Sequence, residues 1–189
     1  MQQMKAQQTS AGNRKPANIL RARLWRRPRL PGRHDPCFVA NYFIGRALQD
    51  QRPLTPLQVN KLVFLAHVWT LGLHRRPLIN QQFEAWPYGP ISPAVYHNLS
   101  YYGGEPVTAP VLARDNGPFK PHEASVLSQT YDLYAHLTGE QLSAICRAPG
   151  GPWDSTRRRS KRRVTVPDGL IEKYFHRAYL QSLKNQSPS

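Results

Sequence analysis

Cysteine is scarce in this chain of 189 residues: only Cys37 and Cys146 occur, far apart in sequence. Two isolated thiols supply neither a zinc framework nor a disulfide scaffold, so both read as buried, inert groups in a reducing cytoplasm. Long apolar runs are missing too. No stretch approaches the roughly 18 consecutive apolar residues of a membrane span, and no apolar segment near the start suggests a secretory signal. The chain therefore reads as soluble and cytoplasmic, without membrane contact. Motifs that announce chemistry are also absent. There is no HExxH pair, and no Lys-Ser/Thr follows Gly103-Gly104, so a P-loop is excluded and that pair reads as a helix stop.

Acidic residues are the third shortage, with 11 Asp and Glu against 26 Lys and Arg. The imbalance is local. Residues 1–34 hold nine bases and no acid, residues 35–154 eight bases and nine acids, and residues 155–163 six bases and no acid. The middle of the chain is nearly neutral, so the net charge of +15 belongs to two appendages. A uniformly basic fold would suggest a nucleic-acid reader; a neutral one with basic arms does not.

Unbroken positive charge with interspersed prolines marks residues 1–34 as a disordered basic tail. Pro28 and Pro31 argue against an organellar transit peptide, despite the arginines. Folding is expected to begin at Asp35-Pro36, an N-cap followed by a first-turn proline. Behind it Val39, Phe43 and Ala47, with Ala40, Ile44 and Leu48, recur at helical spacing. Thr55-Pro56-Leu57-Gln58 is a capping box opening a second helix, apolar on most sides and so central to the core. A short, partly β segment is expected at about residues 77–86. Ser92-Pro93 restarts a helix that ends at Gly103, and four prolines make residues 104–121 a loop. A helix over about 122–136, a second capping box at Thr138–Gln141, a turn at 149–153 and a basic loop at 155–163 follow. A last helix starts near Asp168, and residues 181–189 read as a flexible C-terminus. The fold class is mainly α (α+β): a compact multi-helix domain over residues 35–180 with a small β element.

The segments VANYFIGRA, LTPLQVNKLVFLAHVWTLGLHRRPLI and FEAWPYGPISPAVYHNLSYYG resemble the Panacea domain of SocA/GepA-like, phage-associated antitoxins. Lys61, Leu62, Phe64, Ala66 and His67 fall on its helix motif. Phe83, Glu84, Ala85 and Trp86 fall on its acidic-Ala-Trp element, Tyr88, Gly89 and Pro90 on the Gly-Pro step after it, and Pro93 and Tyr96 on the tyrosine-bearing helix that follows, while Gly151-Pro152-Trp153 resembles a later mark. Phe64 stands where tyrosine is commoner. The resemblance covers residues 37–180 and implies a mostly helical fold. It also implies an antitoxin that binds its cognate toxin directly; some relatives hand the bound toxin to a protease. No enzyme activity, cofactor or metal is expected.

The candidate partner-binding or motif residues are Lys61, Glu84, Trp86, Tyr88, Gly89, Pro90, Tyr96 and Trp153. Glu84 sits between Phe83 and Trp86, and a half-buried carboxylate needs a partner, so a structural pair with Lys61 is expected. No second carboxylate or nucleophile travels with Glu84, which argues against a catalytic acid. Trp86, Tyr88, Tyr96, Tyr101 and Tyr102 read first as core packing, and second as a partner surface of the kind where Tyr and Trp concentrate. His67, His74 and His97 lack metal-ligand spacing, and His67 reads as a core histidine with one satisfied hydrogen bond.

The alternative reading is a nucleic-acid-associated accessory protein. Its candidate contacts are Arg21, Arg23, Trp25, Arg26, Arg27 and Arg29 in the tail, and Arg157, Arg158, Arg159, Lys161, Arg162 and Arg163 in the loop. Such segments bind DNA nonspecifically by releasing counterions, and Trp25 could stack on bases. Removing the tail is expected to leave thermal stability almost unchanged, because apolar burial in the neutral region drives folding. DNA affinity should fall, with a shallower dependence on salt. A salt series on full-length and truncated protein checks this, and unchanged DNA binding would acquit the tail.

Overall fold

One helix organises the molecule. The structure, a computed structural model, describes residues 34–114, 117–159 and 164–186. In chain order these form α1 (Pro36–Gln49), α2 (Pro56–His74), β1 (Phe83–Trp86), β2 (Gly89–Ile91), α3 (Pro93–Leu99), α4 (Pro121–Tyr134), α5 (Gly139–Cys146), α6 (Pro152–Arg159), β3 (Thr165–Val166) and α7 (Asp168–Gln186). The fold is mainly helical with a small sheet. Its strands run antiparallel in the order β2-β1-β3.

Helix α2 starts where its capping box places it. The Thr55 amide donates to Gln58 Oε1 at 2.9 Å, and the Gln58 amide donates back to Thr55 Oγ1 at 3.4 Å. From Val59 to His67 every side chain is buried, because α1, α4, α5, α7 and the hairpin pack around it. Val59, Leu62, Val63 and Ala66 meet Phe43, Ile44, Leu127 and Leu142 in one core. Each large apolar side chain buried there contributes about 1.5–3 kcal/mol. Gly72 is the close approach on this helix: a Cβ there would lie 2.2 Å from the Phe175 ring of α7.

A helix buried on every side must spend its polar residues on the chain around it. Asn60 does so at the start of α3, accepting from the Ser92 amide at 2.9 Å and donating to the Ser92 carbonyl at 3.2 Å. His67 accepts from the Ile79 amide at Nδ1, 3.5 Å away. Its proton therefore sits on Nε2, which lies 3.3 Å from Asp168 Oδ1. The histidine is in the core as expected, with two partners instead of one.

Four boundaries differ from the sequence reading. His34, assigned above to the tail, is buried and bridges Ile79, with Nε2 at 3.0 Å from Glu123 Oε2. A tail truncation meant to spare the fold therefore has to retain it. The β element lies later than expected, as a hairpin over 83–91 joined by the distant Thr165–Val166. Residues 155–159, expected in a loop, continue helix α6. Residues 181–186, expected to be flexible, continue α7. Arg21, Arg23, Trp25, Arg26, Arg27, Arg29, Lys161, Arg162 and Arg163 lie outside the described residues.

Candidate functional site

The family-like residues converge on the β1–β2 hairpin. Strand parity sorts β1 into two faces, since successive side chains point to opposite sides. Phe83 and Ala85 are fully buried toward the core, while Glu84 and Trp86 are half-buried on the outer side. There the Trp86 indole N–H donates to Glu84 Oε2 at 2.9 Å. Glu84 thus finds its partner two residues along its own strand.

Lys61 approaches the hairpin from inside. Its amine donates to the Pro90 carbonyl at 3.0 Å, with the whole residue out of solvent. The expected Lys61–Glu84 pair is therefore absent: the lysine reaches from α2 to the second strand, and the glutamate belongs to the opposite face of the first. Burial lowers the Lys61 pKa from 10.5 to about 8, with Cys146 opposing and Arg147 adding to the shift. Burial pushes the adjacent Cys146 thiol up to about 12, so this cysteine is an inert neighbour and no nucleophile.

Gly89 is the residue this packing requires. Its φ is +111°, and a Cβ there would lie 2.9 Å from Lys61 Nζ and 3.5 Å from Arg147 Cγ. Pro90, which lacks an amide hydrogen, sits in β2 at the sheet edge, where a strand tolerates proline. Beyond the hairpin, the Trp153 indole N–H donates to the Trp86 carbonyl at 2.8 Å and ties α6 to β1. The hairpin is held from beneath by Lys61 and from the side by Trp153.

Of the aromatic residues around it, Tyr102 packs partly buried against the core, and Tyr88, Tyr96 and Tyr101 are exposed. Tyr96 packs on Trp86 edge to face, with centroids 4.7 Å apart, yet Tyr96 is 43% exposed. Tyr88, in the tight turn between the strands, is 73% exposed. Tyr101 and Tyr102 form a separate pair 4.2 Å apart, in the turn after α3. The sequence shows five rings close together but not which way they face. Tyrosine satisfies its hydroxyl in water as readily as it buries its ring, so it suits either side.

Arg147, at the end of α5, is the site residue that sequence reasoning missed. It is exposed beside Gly89, its Nε donating to the Ser143 carbonyl at 3.2 Å. No local pattern marks it, because only the packing of α5 on β2 brings it there. Of the α6 arginines, Arg158 pairs with Asp154, which also accepts from the Gly150 amide. The Gly150 bond and then Arg158 hold the Asp154 carboxyl below its ordinary pKa. Among the described residues no three His, Cys, Asp or Glu side chains group as metal ligands, and no helix is long and apolar enough to cross a membrane.

The stretch from α2 through the hairpin to Asp154 is also where the chain matches other proteins. Residues 59–154, just over half of it, fit the family model described as Antitoxin SocA-like, Panacea domain. The chain belongs to that Panacea-domain family. All eight partner-binding or motif candidates fall inside the match. Antitoxin SocA of Caulobacter vibrioides (strain NA1000 / CB15N) is 30% identical over 125 residues, covering 61% of this chain and 66% of that protein. The chain thus spans just under two thirds of its relative's length. No solved structure matches it.

Proposed function

We infer that this Panacea-domain protein is an antitoxin that neutralises a cognate toxin in the cytoplasm by binding it, without catalysing a reaction. The observation that carries the reading is the family match over residues 59–154, together with a relative named as an antitoxin. The use of the motif's ionisable groups supports it. Lys61 spends its amine on a backbone carbonyl and Glu84 its carboxylate on an indole. Both build the hairpin, and burial keeps the Cys146 thiol beside Lys61 protonated, so the motif holds no activated pair of the kind that acid–base or nucleophilic catalysis needs. What the hairpin offers outward is aromatic surface, suited to recognition.

The test is growth. Expression of the neighbouring reading frame alone should arrest cells, and co-expression of this chain should restore growth. A neutraliser leaves the toxin level unchanged, whereas an adaptor that delivers toxin to a protease lowers it. Rescue with no detectable complex and an unchanged toxin level would contradict both forms of the reading.

A further inference from the structure

We propose that the outer face of the hairpin is the toxin-docking surface, and that Glu84 on it receives a cationic side chain of the toxin, an arginine or a lysine. This rests on the antitoxin reading and adds the place and the chemistry. The face is aromatic: Trp86 packs edge to face against Tyr96, and Tyr88 stands exposed in the turn two residues on. Interfaces concentrate their energy in tryptophan and tyrosine.

Glu84 brings a negative charge to this face, and among the described residues no Lys, Arg or His pairs with it. The residue is half-buried, and a desolvated charge is costly until a counter-charge and hydrogen bonds offset it. The Trp86 indole N–H supplies one bond, to Oε2 at 2.9 Å, and Oε1 has no hydrogen bond among the described residues. The residues opposite Glu84 in the sheet are Ile91 and Thr165, neither of them charged. Lys61 is committed to the Pro90 carbonyl from the core side, and Arg147 meets Gly89 on that same side. No cation of the described residues offsets Glu84, and a cation of the partner completes the site.

The rings suit the same occupant. Aromatic rings attract ammonium and guanidinium groups through their quadrupole. An arginine combines that contact with pairing to a carboxylate, because its guanidinium is both planar and charged. The indole bond holds the Glu84 carboxylate in place, so the seat is formed before the partner arrives. An acidic segment or a phosphate backbone would meet the Glu84 charge and be repelled.

The experiment measures affinity of the full-length chain for the purified product of the neighbouring reading frame, at about 50 mM and about 300 mM salt, where screening differs strongly. Glu84→Gln removes the charge but keeps an acceptor for the Trp86 indole, and Glu84→Lys reverses the charge. Glu140→Gln, in the first turn of α5 and at the other end of that helix from Arg147, is the control. At low salt Glu84→Gln should weaken the toxin complex by about tenfold and Glu84→Lys by more, with both losses shrinking at high salt. Glu140→Gln should match wild type. The melting temperature of Glu84→Gln should stay within about 2 °C of wild type, so the loss is one of binding. Should Glu84→Lys fail to fold, Glu84→Gln carries the test. Toxin binding by Glu84→Gln within about twofold of wild type overturns the proposal while leaving the antitoxin reading intact. Tighter binding by Glu84→Gln assigns the face to an acidic partner and overturns it too. A wild-type chain that binds no toxin at either salt removes the antitoxin reading itself.

Discussion

Between about pH 7 and pH 10, the wild-type chain is expected to gain roughly 2.5 kcal/mol of stability relative to Lys61→Met. The cause is the amine beneath the hairpin. Burial lowers its pKa from 10.5 to about 8 in the folded chain. Below the folded value the amine is charged in both states, and folding carries the full cost of desolvating it. Between the two values the folded amine is neutral while the unfolded one still holds its proton, so stability rises with pH.

Cys37 and Cys146 act in the opposite direction. Burial raises both from 9.0 to about 12, so above pH 9 the unfolded thiols ionise first and stability falls. Wild type alone should therefore show only a shallow maximum near pH 9. The difference between wild type and Lys61→Met cancels most of the thiol contribution and isolates the lysine. Urea unfolding of both proteins across this range measures it. Parallel curves would show that folding leaves the Lys61 pKa at its unfolded value.

Tyr88→Ala should separate binding from folding. The ring is 73% exposed and lies in the turn between the strands, so its loss removes little buried surface. The melting temperature should move by no more than about 1 °C, as for most surface substitutions. An aromatic anchor at the centre of an interface contributes about 2 kcal/mol or more, so toxin affinity should fall by about 30-fold. Leu112, exposed on the loop before α4, gives the matching control: Leu112→Ala should change neither quantity. A Tyr88→Ala complex as tight as wild type would place the hairpin tip outside the interface.

The helices were readable because their ends carry local chemistry. Thr55 and Gln58, and Thr138 and Gln141, satisfy each other within four residues, so no tertiary knowledge is needed to place them. The burial of α2 on all sides was readable as well, from apolar residues that leave no polar stripe. Strand β3 was not, since two residues, Thr165 and Val166, carry no periodicity and pair with a strand far away in sequence. Residues 157–159 looked like a solvated loop because a run of bases usually is one. In the structure Pro152 opens a helix there, and Asp154 neutralises Arg158 one turn later.

The site was legible in membership but not in wiring. Every residue of the Phe83–Pro90 motif lies in the hairpin, where the resemblance implied only a small β element. The pairing of Lys61 with Glu84 was wrong for a reason the sequence contains. Phe-Glu-Ala-Trp alternates apolar and outward-facing positions, which puts Glu84 on the side away from the core helix. Arg147 could not be found at all, because its role depends on how α5 meets β2.

Direct binding is the centre of the account, and co-expression followed by purification tests it most directly. The full-length chain and the product of the neighbouring reading frame should leave an affinity column and a sizing column together, at a fixed ratio and in moderate salt. Titration of the separately purified partners should then saturate at that same ratio. Two proteins that elute apart and show no saturable binding, in cells whose growth this chain nonetheless rescues, would contradict the account.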